Sequence, residues 1–248
     1  MKLSSTSSKE LQISHALDYP YPRPNHSYML RGRNISPMPA DFWPAGRYPV
    51  IACGSNASPD QLIRKFSMIE TDPLYVTRAT LKDFVCCYSA HITGYGSIPA
   101  TICWREGYQT ECHISWLTEA QLEHMHQTES VGHNYQFSRL EGVYLTCHHS
   151  GRIENTYAYI SLSGHLILDE NPVLLAGLET SPNTLPSLNQ GSVQDMIRKR
   201  VFQGISSDDF ILSNILDTKL RGDRTAKLGQ YAEKFFCPFE NTILPGRL

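Results

Sequence analysis

The spacing of apolar and polar positions changes several times along this chain, and each change marks an element. Residues 19 to 49 follow no period. Pro20, Pro22, Pro24, Pro37, Pro39, Pro44 and Pro49 interrupt them, and proline removes a donor and fixes φ, so the stretch reads as an extended, irregular wrap. Its aromatic residues Tyr19, Tyr21, Tyr28, Phe42, Trp43 and Tyr48 suit packing onto a body rather than a free linker. The residues before it read as a loose terminal segment, with Leu11, Ile13 and Leu17 as docking points. Residues 49–53 form a short apolar run of buried-strand type, and Gly54-Ser55-Asn56 turns the chain. A helix then starts with explicit signals: Ser58 at the N-cap, Pro59 at the first helical position and Gln61 completing a capping box. Leu62, Ile63 and Phe66 give it an inner stripe.

Further on, residues 74–80, 84–90, 98–104 and 111–117 read as strands, broken by Gly94-Tyr95-Gly96 and Glu106-Gly107. A second helix opens at Thr118, with Gln121 completing a capping box and Leu117 placed to staple onto Leu122. Leu122 and Met125 share a face, and the helix ends within 126–132. Strands at 135–147 and 155–162 follow, joined through Ser150-Gly151. From Asn171 the pattern changes. Pro172, Pro182 and Pro186 punctuate a connection, after which apolar residues at Val193, Met196, Ile197 and Phe202, then Phe210, Ile211, Ile215 and Leu220, predict a small helical segment. There is no internal repeat. The division this predicts is an irregular segment over 1–47, a central domain over 48–170 and a helical extension over 171–248.

Composition narrows the classes. With 248 residues, 41% hydrophobic and 19% charged, the chain has material for a packed core and is not a disordered polymer. A formal charge of -2 gives no electrostatic reason to expect nucleic acid or an anionic membrane as partner. No run approaches the roughly 18 apolar residues of a membrane span, and the polar, Ser-rich first ten residues carry no secretory signal. The seven cysteines include no C-x-x-C pair, and Cys86, Cys103, Cys112 and Cys147 fall in strand-like runs, where a free thiol acts as a small hydrophobe. A reducing, cytoplasmic setting is the expectation.

Two places carry candidate chemistry. The strand-turn-helix around Gly54 exposes backbone N–H groups at a helix start, where an anion or developing oxyanion binds. Gly54, lacking a Cβ, permits close approach. The second is Glu129, at the exit of the Thr118 helix, where a carboxylate beside a core is positioned to work as a general base. Each alone also fits a plain structural role.

Together they resemble the γ-glutamyl cyclotransferase-like family. Gly54-Ser55-Asn56 after a buried strand is similar to its glycine-serine-asparagine signature. Residues 77–81 resemble its Ala-x-Leu segment, 98–102 its Ala-Thr-Ile strand, and Trp116-Leu117-Thr118 the opening of the helix that leads to its acidic residue. Glu129 falls at the family's catalytic glutamate and Tyr135 at the tyrosine that follows. The resemblance covers roughly residues 48–168. Three positions depart from it: Cys53 stands where tyrosine is usual, His126 where aspartate is, and Ser130 where glycine is.

The resemblance implies an α+β fold, a mixed β-barrel or sheet with flanking helices, carrying the proline-rich wrap and the C-terminal helices as additions. It implies conversion of a γ-glutamyl amide or peptide to 5-oxoproline and a free amine, a lyase or acyltransferase type of reaction. Glu129 is then the catalytic acid and base, and Cys53, Gly54, Ser55, Asn56 and Tyr135 bind the substrate. Neither cofactor nor metal is required, because the nucleophile is intramolecular; His124, His126, His148 and His149 match no metal-ligand spacing. Two alternatives stay open: a non-catalytic small-molecule-binding module on the same fold, and a thiol amidase using Cys53 at the helix start.

Overall fold

The computed structural model describes residues 7–67, 69 and 72–245; the first six residues of the Ser-rich start lie outside them. Eight strands carry the architecture: β1 Tyr28–Arg31, β2 Asn34–Pro37, β3 Tyr48–Ala52, β4 Leu74–Tyr88, β5 Ala100–Leu117, β6 Tyr135–Cys147, β7 Gly151–Ser161 and β8 His165–Leu168. Five of them close a ring. β5 pairs antiparallel with both β3 and β4, β4 with β6, β6 with β7, and β7 returns parallel to β3. The result is a mixed five-stranded barrel, which leaves these strands no free edge. Six α-helices among the described residues complete an α+β fold: α1 Ser8–Leu17, α2 Pro59–Phe66, α3 Glu119–Glu129, α4 Gln190–Val201, α5 Ser207–Leu216 and α6 Thr218–Leu228.

Strand alternation decides which layer each side chain enters. Ile51, Leu81, Ile114 and Ile160 join one buried cluster. Val50, Val76, Leu117 and Tyr159 join another, against Leu62 and Phe66 of α2 and Leu122 and Met125 of α3. Full burial of such side chains is worth about 1.5–3 kcal/mol each, so α2 and α3 are pinned to one outer face of the barrel. That face carries the candidate chemistry.

The four strands expected over 74–117 are two long ones. β4 and β5 pair on both sides of a bulge at Asp83, φ 60°, where the register shifts. Gly107, at φ 80°, donates its N–H to Asp83 Oδ1 at 2.8 Å, so the expected break is a bulge across which the register shifts while the two strands continue to pair on both sides. The α3 signals act as read: the Thr118–Gln121 capping box forms, and Leu117 and Leu122 are both buried in one cluster. At α2, Pro59 takes the first position, but the box does not form. Gln61 turns its carbonyl to Arg64 instead, and the Ser58 hydroxyl is buried without a partner among the described residues.

The 1–47 segment is not irregular throughout. Ser7 and Glu10 form a capping box that starts α1, a signal present in the sequence at the spacing S-x-x-E. Between Pro24 and Pro37 no proline interrupts the chain, and β1 there pairs with both β2 and β4. α1 packs on α4 and α5, so the N-terminal segment meets the C-terminal helices. The C-terminal segment is not purely helical either: Asn241–Leu244 extends the sheet alongside β6. No helix among the described residues is long and apolar enough to cross a membrane.

Candidate active site

Beyond β3 the chain makes a single 3-10 turn, Ser55–Ala57, before α2. The turn closes on itself through N–H groups of Ala57 and Ser58, which donate to the Gly54 and Ser55 carbonyls at 3.3 and 2.9 Å. The N–H groups of Ser55 and Asn56 stand before this ladder, as the leading donors of any helical turn do. Ser115 Oγ and Tyr28 Oη hold the turn from behind, donating to the Asn56 and Ala57 carbonyls at 3.2 and 3.0 Å. Gly54 has a negative φ, -102°, so no left-handed backbone demands glycine. Space does: a Cβ there would fall on the Tyr19 hydroxyl and lie 2.9 Å from Ala100 Cβ.

Glu129 is the last residue of α3, on the face that meets α2. Asn56 Nδ2 donates to its Oε1 at 3.0 Å, and Lys65 of α2 forms an ion pair with the same oxygen. Lys65 Nζ also donates to Asn56 Oδ1 at 2.8 Å and lies 3.4 Å from Met125 Sδ. Lys65 and Glu129 are 8% and 13% exposed at the side chain, so the pair is largely desolvated. His124 clamps the end of α2 by donating from Nε2 to the Lys65 carbonyl at 2.7 Å. Ser130 caps α3 in the left-handed conformation, at φ 52°, where glycine is the usual residue.

All six residues singled out in the sequence line one small cavity of about 40 Å³: Cys53, Gly54, Ser55, Asn56, Glu129 and Tyr135. It adjoins a larger one of about 150 Å³ that shares Ser55, Glu129 and Tyr135 and runs out past Lys65, Thr93 and Tyr95. Two tyrosines span the boundary. Tyr19 Oη accepts the Ala100 N–H at 2.7 Å, and Tyr135 Oη donates to the Ala100 carbonyl at 2.9 Å. Burial pushes both phenols well above their ordinary value, so both keep their protons. Burial also holds His91, on the outer cavity, down at about 4 despite the opposing pull of Glu129; it is a neutral ring at neutral pH.

The three departures from the family pattern have distinct surroundings. Cys53 is buried, and its thiol reaches the Thr101 carbonyl at 3.7 Å. His126 is buried, with Nδ1 hydrogen-bonded to Tyr159 Oη at 2.9 Å. Ser130 is the helix cap.

Lys65 was not singled out in the sequence, and Tyr19 was read there only as a packing aromatic. Lys65 sits two turns along α2 from the N-cap, where a lysine ordinarily faces water. Tyr19 lies in the proline-rich wrap, outside the stretch that carries the resemblance. No local pattern marks either one.

No family model and no curated protein matches this sequence. Among solved structures, the chain is similar to a solution structure of a protein from Arabidopsis thaliana, at 15% identity and TM-score 0.38, over 66% of this chain and 89% of that one. It is similar to an uncharacterized protein from Homo sapiens at 15% identity and TM-score 0.38, over 76% and 89%. The solved structures it resembles also include a gamma-glutamyl cyclotransferase, at 15% identity and TM-score 0.37, over 77% of this chain and 91% of that one.

Proposed function

We propose that this chain converts a γ-glutamyl amide or peptide to 5-oxoproline and a free amine, with Glu129 as general acid and base. The observation that carries the reading is the joining of Glu129 to the Gly54–Asn56 turn through Asn56, on a cavity that both of them line. A proton acceptor and backbone donors thus face one small volume, as an intramolecular acyl transfer requires.

The γ-glutamyl group lies across the inner and outer cavities with its γ-carbonyl oxygen toward the Ser55 and Asn56 N–H groups. Glu129 removes a proton from the substrate's α-amine. The α-nitrogen attacks the γ-carbon, closing a five-membered ring, and the turn N–H groups stabilise the oxyanion. As the tetrahedral intermediate collapses, the bond from the γ-carbon to the leaving nitrogen breaks and Glu129 returns the proton to that nitrogen. Lys65 and Asn56 hold Oε1, so Oε2 is the atom that exchanges the proton. The outer cavity, lined by Lys65, Thr93, Tyr95 and Asn134, receives the leaving amine.

A second reading, a binding module without turnover, draws support from the ion pair itself, since Lys65 engages one oxygen of the base before any substrate arrives. The thiol reading has less support: the Cys53 thiol is turned to a backbone carbonyl, and a thiol hydrolase needs a base. The experiment is direct. The chain is incubated with a panel of γ-glutamyl peptides and amines, and 5-oxoproline is measured. Saturable formation above the uncatalysed rate supports the proposal. Binding of the same compounds without any 5-oxoproline overturns it in favour of the module.

A further inference from the structure

A second cavity, of about 170 Å³, opens between residues 23–25 of the wrap, residues 111–113 of β5 and residues 177–179. It shares no lining residue with the cavities at Glu129. Two guanidinium groups line it, and they differ in how their charge is met. Arg78 pairs with Glu111 at 2.8 Å and donates to the Asn25 carbonyl at 2.9 Å. Glu111 is occupied further by Thr80 at 2.6 Å. Arg23, half-buried, donates only to carbonyls, those of Cys53 at 3.4 Å and Gly177 at 3.2 Å, and makes no ion pair among the described residues. These bonds use two of its five N–H donors. A partly desolvated cation ordinarily has a counter-charge, and here the neighbouring carboxylate belongs to another arginine. The buried His113 beside it does not supply one, since its Nε2 donates to the Pro24 carbonyl at 3.1 Å.

We infer that this cavity is a second ligand site, taking a small monocarboxylate on the free donors of Arg23. A carboxylate matches the planar fork of a guanidinium. Glu111 is paired with Arg78 and Glu179 is exposed on the rim, so the charged side chains of the lining sum to zero and Arg23 is its one cation without an ion pair among the described residues; that suits a singly charged ligand and opposes a dianion. At about 10–15 Å³ of such space per water, the volume has room for a molecule the size of lactate. Because Arg23 holds the Cys53 carbonyl, occupancy bears directly on the peptide that leads into the Gly54–Asn56 turn.

Amide chemical shifts of the full chain, followed during titration with sodium lactate against matched sodium chloride, test this. Saturable shifts are expected at Arg23, His113 and Gly177. Arg23→Gln is expected to weaken the affinity at least about tenfold, the loss of one charge-assisted contact. Leu178→Trp, which adds bulk to the lining while leaving both arginines in place, is expected to abolish binding whatever the fate of the arginine variant. Lactate shifts no larger than those of chloride overturn the site. So do shifts centred on Glu129, or binding that survives Leu178→Trp. Tighter binding of succinate or inorganic phosphate than of lactate overturns the monocarboxylate class.

Discussion

Glu129→Gln keeps the shape of the side chain and its bond from Asn56 but removes its ability to take a proton. Turnover of a γ-glutamyl amide is expected to fall at least about 10²-fold with an unchanged folded spectrum; retained activity in a folded Glu129→Gln protein would falsify the proton-transfer role. At Cys53 the expectation is the opposite. The thiol is turned to a carbonyl, so Cys53→Ala keeps a substantial share of activity, whereas a thiol mechanism has it inactive with a covalent adduct trappable on the parent. Gly54→Ala is expected to cost both activity and about 1–3 kcal/mol of stability by overpacking, because its Cβ meets Tyr19 and Ala100. Removing the hydroxyl it strikes makes a specific check. Gly54→Ala combined with Tyr19→Phe is expected to be less destabilised than the sum of the singles by at least about 0.5 kcal/mol; strict additivity in urea unfolding refutes the contact.

For the elements, the informative position is the end of α3. Ser130 caps that helix at φ 52°, its N–H bonded to the Gln127 and His126 carbonyls. A left-handed residue costs L side chains roughly 1–2 kcal/mol, most for β-branched ones. Ser130→Gly is therefore expected to be neutral or stabilising, and Ser130→Val to lower stability by about 1–2 kcal/mol. Since Glu129 precedes the cap, the valine substitution should also loosen the carboxylate and lower turnover, while the glycine substitution preserves it. Equal midpoints for the two variants in urea contradict this account. At the start of α2 the helix forms without its side-chain cap: Pro59 and the buried Leu62 and Phe66 suffice, because packing of the inner stripe outweighs one cap hydrogen bond of about 1 kcal/mol.

At the scale of the whole molecule, closure of the barrel and the burial around it set the response to acid. His91 and His113 are held at about 4 by burial, the latter helped by Arg23, against about 6.5 in an unfolded chain. Below pH 6.5 the unfolded chain takes up protons that the folded chain refuses until about pH 4. Stability is thus full above about pH 6.5 and falls as the pH drops from there to about 4, by about 1.4 kcal/mol per pH unit for each histidine. Urea midpoints across that window should fall, and His113→Gln should make the slope shallower, with His91, His15 and His126, also lowered by burial, keeping part of it. A flat profile in the parent, or an unchanged slope in the variant, contradicts the assignment.

What the sequence determined by itself is local. Alternation placed the strands, Thr118 and Gln121 started α3 at the right residue, and Pro59 started α2. The turn at Gly54 and the helix-exit position of Glu129 were legible in the residues, Tyr135 was marked only by the resemblance to the cyclotransferase-like pattern, and the structure brings all three to one cavity. The short-range signals that failed did so for reasons beyond their neighbours. Glu106-Gly107 reads as an interruption, and the expected strands stop at 80 and resume at 84, because Gly and Asp disfavour a strand; yet β4 and β5 pair on both sides of each position. Only the tertiary structure joined Lys65 to Glu129 and brought Tyr19 onto Gly54. Neither pair is near in sequence: 64 positions separate the first two residues, and the second two lie on opposite sides of the whole proline-rich wrap. They meet because α2 and α3 share one face of a closed barrel and the wrap packs against it. Spacing along a chain encodes the period of an element, but a side chain's charged neighbours and its exclusion from water depend on which elements meet, and that is settled only when the barrel closes.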